Sequence, residues 1–266
     1  MSFQPIVPFS GYAGWRFLER TMERQQQTFA QGPGLRAEAD HFRGMIGKAL
    51  DANDLVSDYR LLKVALGAFG LDDQIASKYL IKKVLQQDTA DPDALANQLP
   101  DKRWLDFANA FSSGGQVSAR VRDPRFVEEI VNRFQTRQFE RAVGERDDAL
   151  RLAMNLEREL AGIAVGDSSE NAKWYTIMGT PAVRAVFDTA LGLPDAFATL
   201  DLDRQLGVYK TRVAAMFGAD SVTQFTDSAT REKLIQNFMI RREINDFGIA
   251  SSGQIALQLL AVGGAR

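Results

Sequence analysis

The charged residues Asp58, Arg60, Asp101, Lys102 and Arg103 stand at the ends of apolar stripes. An arginine fork matches a carboxylate and can lock two helices together. Arg60 or Arg103 is therefore expected to pair with an acid on a neighbouring helix; the competing reading is ordinary solvated surface charge. His41 is the only histidine, and cysteine is absent. Disulfides, thiolate metal sites and a cysteine nucleophile are thereby excluded. A single histidine with no second nitrogen or sulfur ligand nearby reads as a partly exposed helix residue. Asp51-Ala52-Asn53-Asp54 opens like a calcium loop, but Val56 and Leu62 stand where the glycine and the twelfth-position acid belong. Helix capping explains these acids better. The pairs Glu128-Glu129 and Asp147-Asp148 are adjacent, so their side chains diverge on a helix, whereas a glycosidase needs two carboxylates facing one bond. Phosphate-loop, dinucleotide and nucleophile-elbow motifs are missing. No catalytic, cofactor or metal residue is expected.

The elements that must position these charges are clearest between Asp58 and Phe111. Tyr59, Leu62, Leu66 and Phe69 fall on one helical face, and Gly70 follows where a left-handed residue ends a helix. A second helix is expected to bury Ile75, Ala76, Tyr79, Leu80 and Val84. Asp91-Pro92 reads as the start of a third, and Pro100-Asp101 as the start of a fourth whose stripe is Trp104, Phe107, Ala108 and Phe111. A helix-turn-helix reading of 94–110 fails, because the core claims the aromatic residues that a base-reading helix would leave exposed.

The run Asp58-Tyr59-Arg60, Gly70-Leu71, Lys83-Val84-Leu85, Asp91-Pro92, Ala96-Asn97, Leu99, Asp101-Lys102-Arg103 and Phe107 resembles an alphaproteobacterial family of unknown function. Its members are typically encoded among flagellar genes. Trp104 stands where another aromatic such as tyrosine is expected. The resemblance implies a place of work, the flagellum, and no activity.

Around this stretch, residues 1–15 read as an uncharged extended arm, with Phe3, Val7 and Phe9 available to a partner. Residues 16–29 read as a largely exposed helix ended by Gly32-Pro33-Gly34, and 37–50 as a helix burying Phe42, Met45, Ile46 and Leu50. Ser112-Ser113-Gly114-Gly115 reads as a linker. Asp123-Pro124 opens a long helical tract to Ile163 that Gly144 kinks or splits. Between Ser112 and Gly166, nine arginines face nine acids, the composition of a solvated, ion-paired helix surface. The tail at 251–266 carries Ile255 and Leu259 as further candidate contacts.

Sliding residues 61–76 by 122 places Val64, Ala68, Gly70, Leu71, Asp73 and Ala76 on Val186, Ala190, Gly192, Leu193, Asp195 and Ala198. A related pair of helical units follows, packed with approximate twofold symmetry, helical convergence being the other explanation. The expected organisation is an arm and exposed helix at 1–36, a first unit at 37–111, a linker and arginine-rich helix at 112–148, a second unit at 149–240, and a tail at 241–266.

Across 266 residues, 45% apolar content is enough for a real core, and 32 basic residues nearly balance 34 acidic ones. No general attraction to nucleic acid follows. No apolar run reaches the roughly 20 residues of a membrane span, and residues 1–15, uncharged and broken by proline and glycine, do not read as a cleavable signal; the expected place is the cytoplasm or the flagellum. The fold expected is all-α and bundle-like, with two related units joined by a long helix. The function expected is non-enzymatic, structural or assembly work at the flagellum through protein contacts. A carboxylate-dependent glycan hydrolase aiding passage through the cell wall, or a cytoplasmic partner-binding regulator, are the alternatives.

Overall fold

The structure, a computed structural model, describes residues 3–263, with side chains through Asp246. It is all-α: 75% of the chain is helical, in thirteen α-helices with one two-stranded hairpin among the described residues. The chain divides into two compact units. One holds residues 1–6 and 21–142; the other holds 7–20 and the chain from Val143 onward.

The arm is shorter than expected. Helix α1 spans Gly11–Ala30, so Tyr12 and Trp15 are helical, and Trp15 is buried. Nor is α1 largely exposed, since Leu18 and Gln25 are buried. Gln25 accepts from the Ile6 amide at 2.7 Å and donates to the Ile6 carbonyl at 3.1 Å. A buried amide thus satisfies both backbone groups of the arm at that residue.

In the first unit, α2 (Pro33–Met45) starts at the proline that reads in sequence as a stop. Proline at the first helical position needs no amide partner. Helix α3 (Ala52–Ser57) is capped by Asp51, whose carboxylate accepts from the Asn53 and Asp54 amides. Helix α4 (Tyr59–Gly67) buries Leu61, Leu62, Val64, Ala65 and Leu66. The second expected helix begins late, with α5 at Lys78–Gln86. Tyr59 and Tyr79 are exposed, against expectation, because neighbouring aliphatic residues take the inward face. The Asp91-Pro92 helix shrinks to α6, Leu95–Gln98, since Asp91 caps a turn by accepting from the Asp93 amide. Helix α7 (Arg103–Phe111) buries Trp104, Phe107, Ala108 and Phe111 as expected. Leu50, expected inside, lies out in solvent.

The expected linker is a β-hairpin. Strands Ser112–Ser113 and Gln116–Val117 pair antiparallel. Gly114 (φ +57°) and Gly115 (φ +78°) form the two-residue turn that such strands require. Helix α8 (Pro124–Gly144) then closes the unit, its Ile130, Val131 and Phe134 buried.

In the second unit, α9 (Asp148–Val165), α10 (Glu170–Gly179), α11 (Pro181–Ala190), α12 (Leu202–Phe217) and α13 (Ser228–Gly263) follow in order. Gly144 does end one helix, and Asp147 caps the next by accepting from the Ala149 and Leu150 amides. Helix α13 runs unbroken to Gly263, so residues 241–263 continue the last helix.

Both units carry the same device. Just past the ends of helices α4 and α11 stands a left-handed glycine, Gly70 (φ +70°) and Gly192 (φ +63°). The amide after each glycine reaches back five residues, Leu71 to Leu66 and Leu193 to Asp188, and each glycine amide reaches back three. This double bond pattern is a Schellman stop. A short 3₁₀ turn follows in each unit, then a further helix. The last helix of each unit begins at a capping aspartate, Asp123 or Asp227. Counted from that cap, Ile130, Val131, Phe134 and Arg137 stand where Leu234, Ile235, Phe238 and Arg241 stand. Arg137 and Arg241 both lie against the stop glycine, and Arg137 Nε donates to the Ala68 carbonyl at 3.0 Å. The arginine-rich helix thus closes the first unit, and the boundary with the second falls in its last turn, between Ala142 and Val143. Among the described residues, helices α6 and α7 and the hairpin have no counterpart in the second unit.

Candidate functional site

The sequence-predicted charges do not converge. Asp58 caps α4, accepting from the Arg60 and Leu61 amides at 2.9 and 3.1 Å, and receives His41 Nε2 at 2.7 Å. Burial pushes its carboxyl up, but the His41 and backbone hydrogen bonds outweigh that and hold it below the usual range. Arg60 does not find an acid; its guanidinium donates to the Ala37 carbonyl at 2.5 Å. Arg103 pairs with Asp101 only two residues away, at 2.7 Å, and reaches across to the Gly70 carbonyl. Burial pushes the Asp101 carboxyl up, and the Arg103 side chain and amide more than reverse it. Lys102 Nζ donates to the Asn97 and Leu99 carbonyls at 3.1 and 3.4 Å. These residues cap and stitch helix ends.

The interhelical fork expected of Arg60 or Arg103 is made by other arginines. Arg43 on α2 donates to both oxygens of Glu128 on α8, at 2.7 and 2.8 Å. In the second unit Arg231 on α13 grips Glu157 on α9, at 2.9 Å from Nε and 2.8 Å from Nη2. The same junction of first and last long helix is thus pinned twice, with the charges exchanged. These partners lie 85 and 74 residues apart in sequence, so no local pattern could reveal them.

Of the expected contact residues, Phe3 and Val7 are half-buried and Phe9 is exposed, its ring edge-on to Phe17 at 6.3 Å. Ile255 and Leu259 lie outside the described side chains.

The feature that does gather chemistry in one place is an open recess of about 360 Å³ in the first unit. Its apolar floor is Phe69 from the end of α4, Ala110 from α7, and Phe126 and Ile130 from α8. Phe111 sits edge-on to both rings, at 6.1 Å from Phe69 and 5.8 Å from Phe126, and fixes their positions. The rim is polar: Asp106, Asn109, Arg120, Glu129 and Arg133. Arg120 lies 4.8 Å from the Phe126 ring centre and Arg133 lies 5.6 Å from that of Phe69, both cation–π contacts. Arg133 is also held by Glu129 at 2.6 Å, one helical turn away. Sequence reasoning missed this site because its lining comes from α4, α7, the 3₁₀ turn at Ala119–Arg122, and α8. The nearest signal was the Gly70-Leu71 motif, directly after Phe69.

The second unit fills the corresponding place with its own chain. At the register of Phe69, Arg120, Phe126, Glu129 and Arg133 stand Leu191, Gln224, Thr230, Lys233 and Asn237. Lys233 donates to the Met216 carbonyl at 2.8 Å and lies over the Phe217 ring, while Asn237 donates to the Met216 sulfur at 3.1 Å. The end of α12 covers that face.

The second unit buries charge elsewhere. Lys173, 6% exposed, donates to the Ala164 carbonyl at 2.9 Å and the Thr223 hydroxyl at 3.0 Å. Glu170 accepts from the Val222 amide at 2.6 Å and from Thr223. Burial pushes the Glu170 carboxyl up, but the Thr223 and Ser221 hydroxyls, the Val222 amide and Lys173 bring it down to about 2. These bonds tie α10 to the 3₁₀ turn Val222–Thr226. Tyr209 is stacked on Trp174 and bonded to Asp188, and burial followed by that bond raises its hydroxyl. Both networks are closed on themselves.

Among the described residues no group of three or more acids and histidines is placed to hold a metal ion, and no helix is long and apolar enough to cross a membrane. No curated protein matches the sequence. A crystal structure of the Agrobacterium tumefaciens protein AGR_C_984, a structural-genomics target, is similar in fold, with a TM-score of 0.73 at 22% identity over 91% of this chain and 99% of that one. The family described as "Protein of unknown function (DUF1217)" matches residues 68–230, which takes in every lining residue of the recess and the stop glycines of both units. The chain belongs to the DUF1217 family.

Proposed function

We propose that this protein is a non-enzymatic structural or assembly component associated with the bacterial flagellum, and that it works by holding another protein at the recess of its first unit. The supporting observation is the contrast between the units. Both keep the stop glycine, the arginine behind it and the closing helix, yet in the first an aromatic and arginine-lined recess opens at that junction, whereas in the second Lys233 and Asn237 bond to Met216 there. Aromatic and arginine side chains are the groups that anchor protein contacts. The flagellar assignment rests on the motif resemblance. Deleting the gene and scoring filaments and swimming tests it: loss of either supports the proposal, and normal filaments with normal swimming overturn it.

A glycan-hydrolase reading draws on one observation, that Asp106 and Glu129 line the same recess as two phenylalanine faces. Glu129 already spends an oxygen on Arg133, whereas hydrolysis needs one carboxyl kept as an acid beside one carboxylate. A clearing assay on purified cell-wall glycan separates the two readings. No clearing is expected; clearing by the wild type that Glu129→Gln abolishes would establish the enzyme instead.

A further inference from the structure

We propose that the recess takes a carboxylate-bearing apolar group presented by a partner polypeptide, such as an aromatic side chain beside a free C-terminus or an acidic residue. This rests on reading the recess as a contact site and adds the chemistry of its occupant. The floor of Phe69, Ala110, Phe126 and Ile130 offers an apolar surface that only an apolar group covers without leaving a polar atom unpaired. At about 360 Å³ the space lies near the lower end of ligand pockets, enough for one large side chain rather than a polymer.

The charge of the occupant follows from the rim. Arg133 is committed to Glu129. Arg120 has no ion pair among the described residues; its guanidinium carbon lies 4.8 Å from the centre of the Phe126 ring. A cation–π contact uses none of the guanidinium N–H hydrogen bonds, and a carboxylate matches that fork. The second unit loses this combination as a set, since Gln224 and Thr230 replace the cation and the ring beneath it. Asn109 supplies an amide to the same mouth, suited to the backbone of an extended segment.

The probes are N-acetyl-phenylalanine, its uncharged amide, and glucuronate as a carboxylate without an apolar ring. Each is titrated into the isotopically labelled full chain while backbone amide resonances are followed. The expected result is saturable shifts at Asn109, Ala110, Arg120 and Ile130 with the acid. Binding of the amide should be roughly tenfold weaker, the effect of losing one charge-assisted hydrogen bond. In Arg120→Gln that preference should vanish, whereas in Arg133→Asn it should persist; both sites are on the rim, and circular dichroism confirms the fold. Equal binding of acid and amide, shifts elsewhere on the chain, or no saturable shift overturns the proposal. Glucuronate binding as tightly as the acid overturns it in favour of a sugar ligand. The titration makes no reference to swimming, so it can fail while the flagellar reading stands, and the reverse.

Discussion

The two units differ in how much of their closing-helix surface they use on themselves. In the second, Lys233 and Asn237 bond to Met216, and the end of α12 covers the junction. In the first, α5 is nine residues long where α12 has sixteen. Helices α6 and α7 and the hairpin take up the intervening chain, and the same junction is left open between Phe69 and Phe126. The frame beneath is kept in both, down to the arginine behind the stop glycine. One unit therefore shows what the frame needs to stand, and the other what has been added to it.

The shared frame should respond alike in both units. Phe134 and Phe238 are fully buried at the same register. Changing either to alanine should cost about 3–5 kcal/mol in urea unfolding; a large cost at only one of them would break the equivalence. The Arg–Glu forks should differ. Arg231, whose side chain is 12% exposed, also donates to the Phe225 and Thr226 carbonyls, whereas that of Arg43 is 36% exposed. Arg231→Ala should cost about 2 kcal/mol, because carbonyls lose a charged donor, and Arg43→Ala less than about 1 kcal/mol. Equal losses would contradict the reading of one fork as buried and the other as surface.

Gly70→Ala and Gly192→Ala should each cost about 1–2 kcal/mol, since a side chain in the left-handed region is strained and also meets the arginine behind it. The smallest effect is in acid. Glu170 is held down to about 2 when folded, against an ordinary value of 4.5. Its contribution is therefore complete above pH 4.5 and is lost as the pH falls toward 2. Thermal midpoints of Glu170→Gln across that window should fall less steeply than those of the wild type; parallel curves would show that this carboxylate does not stabilise the fold.

How much of this was legible in the sequence depends on range. Gly70, Gly192, Asp51 and Asp147 act within five residues of themselves, and periodicity with capping rules identifies them. Ser112-Ser113-Gly114-Gly115 misleads because small residues spell both a linker and a tight hairpin, and only the pairing of Ser112 with Val117 decides. Tyr59 and Tyr79 mislead because tyrosine satisfies an apolar stripe on paper while its hydroxyl is at home in water. The forks of Arg43 and Arg231 and the recess itself join positions far apart in the chain. The internal repeat was visible at Gly70-Leu71, yet the match of α8 with α13 lies in a different register, 104 residues rather than 122. The change in register between the two matches is the net length added by α6, α7 and the hairpin against the longer α12.

The comparison is tested most directly by giving the first unit the rim of the second. The triple variant Arg120→Gln, Glu129→Lys, Arg133→Asn changes only rim residues of the recess and should unfold within about 0.5 kcal/mol per site of the wild type. Introduced into a deletion strain, it should fold normally and fail to restore swimming. Full restoration of swimming by a stable triple variant would contradict the claim that the recess of the first unit is where this protein does its work.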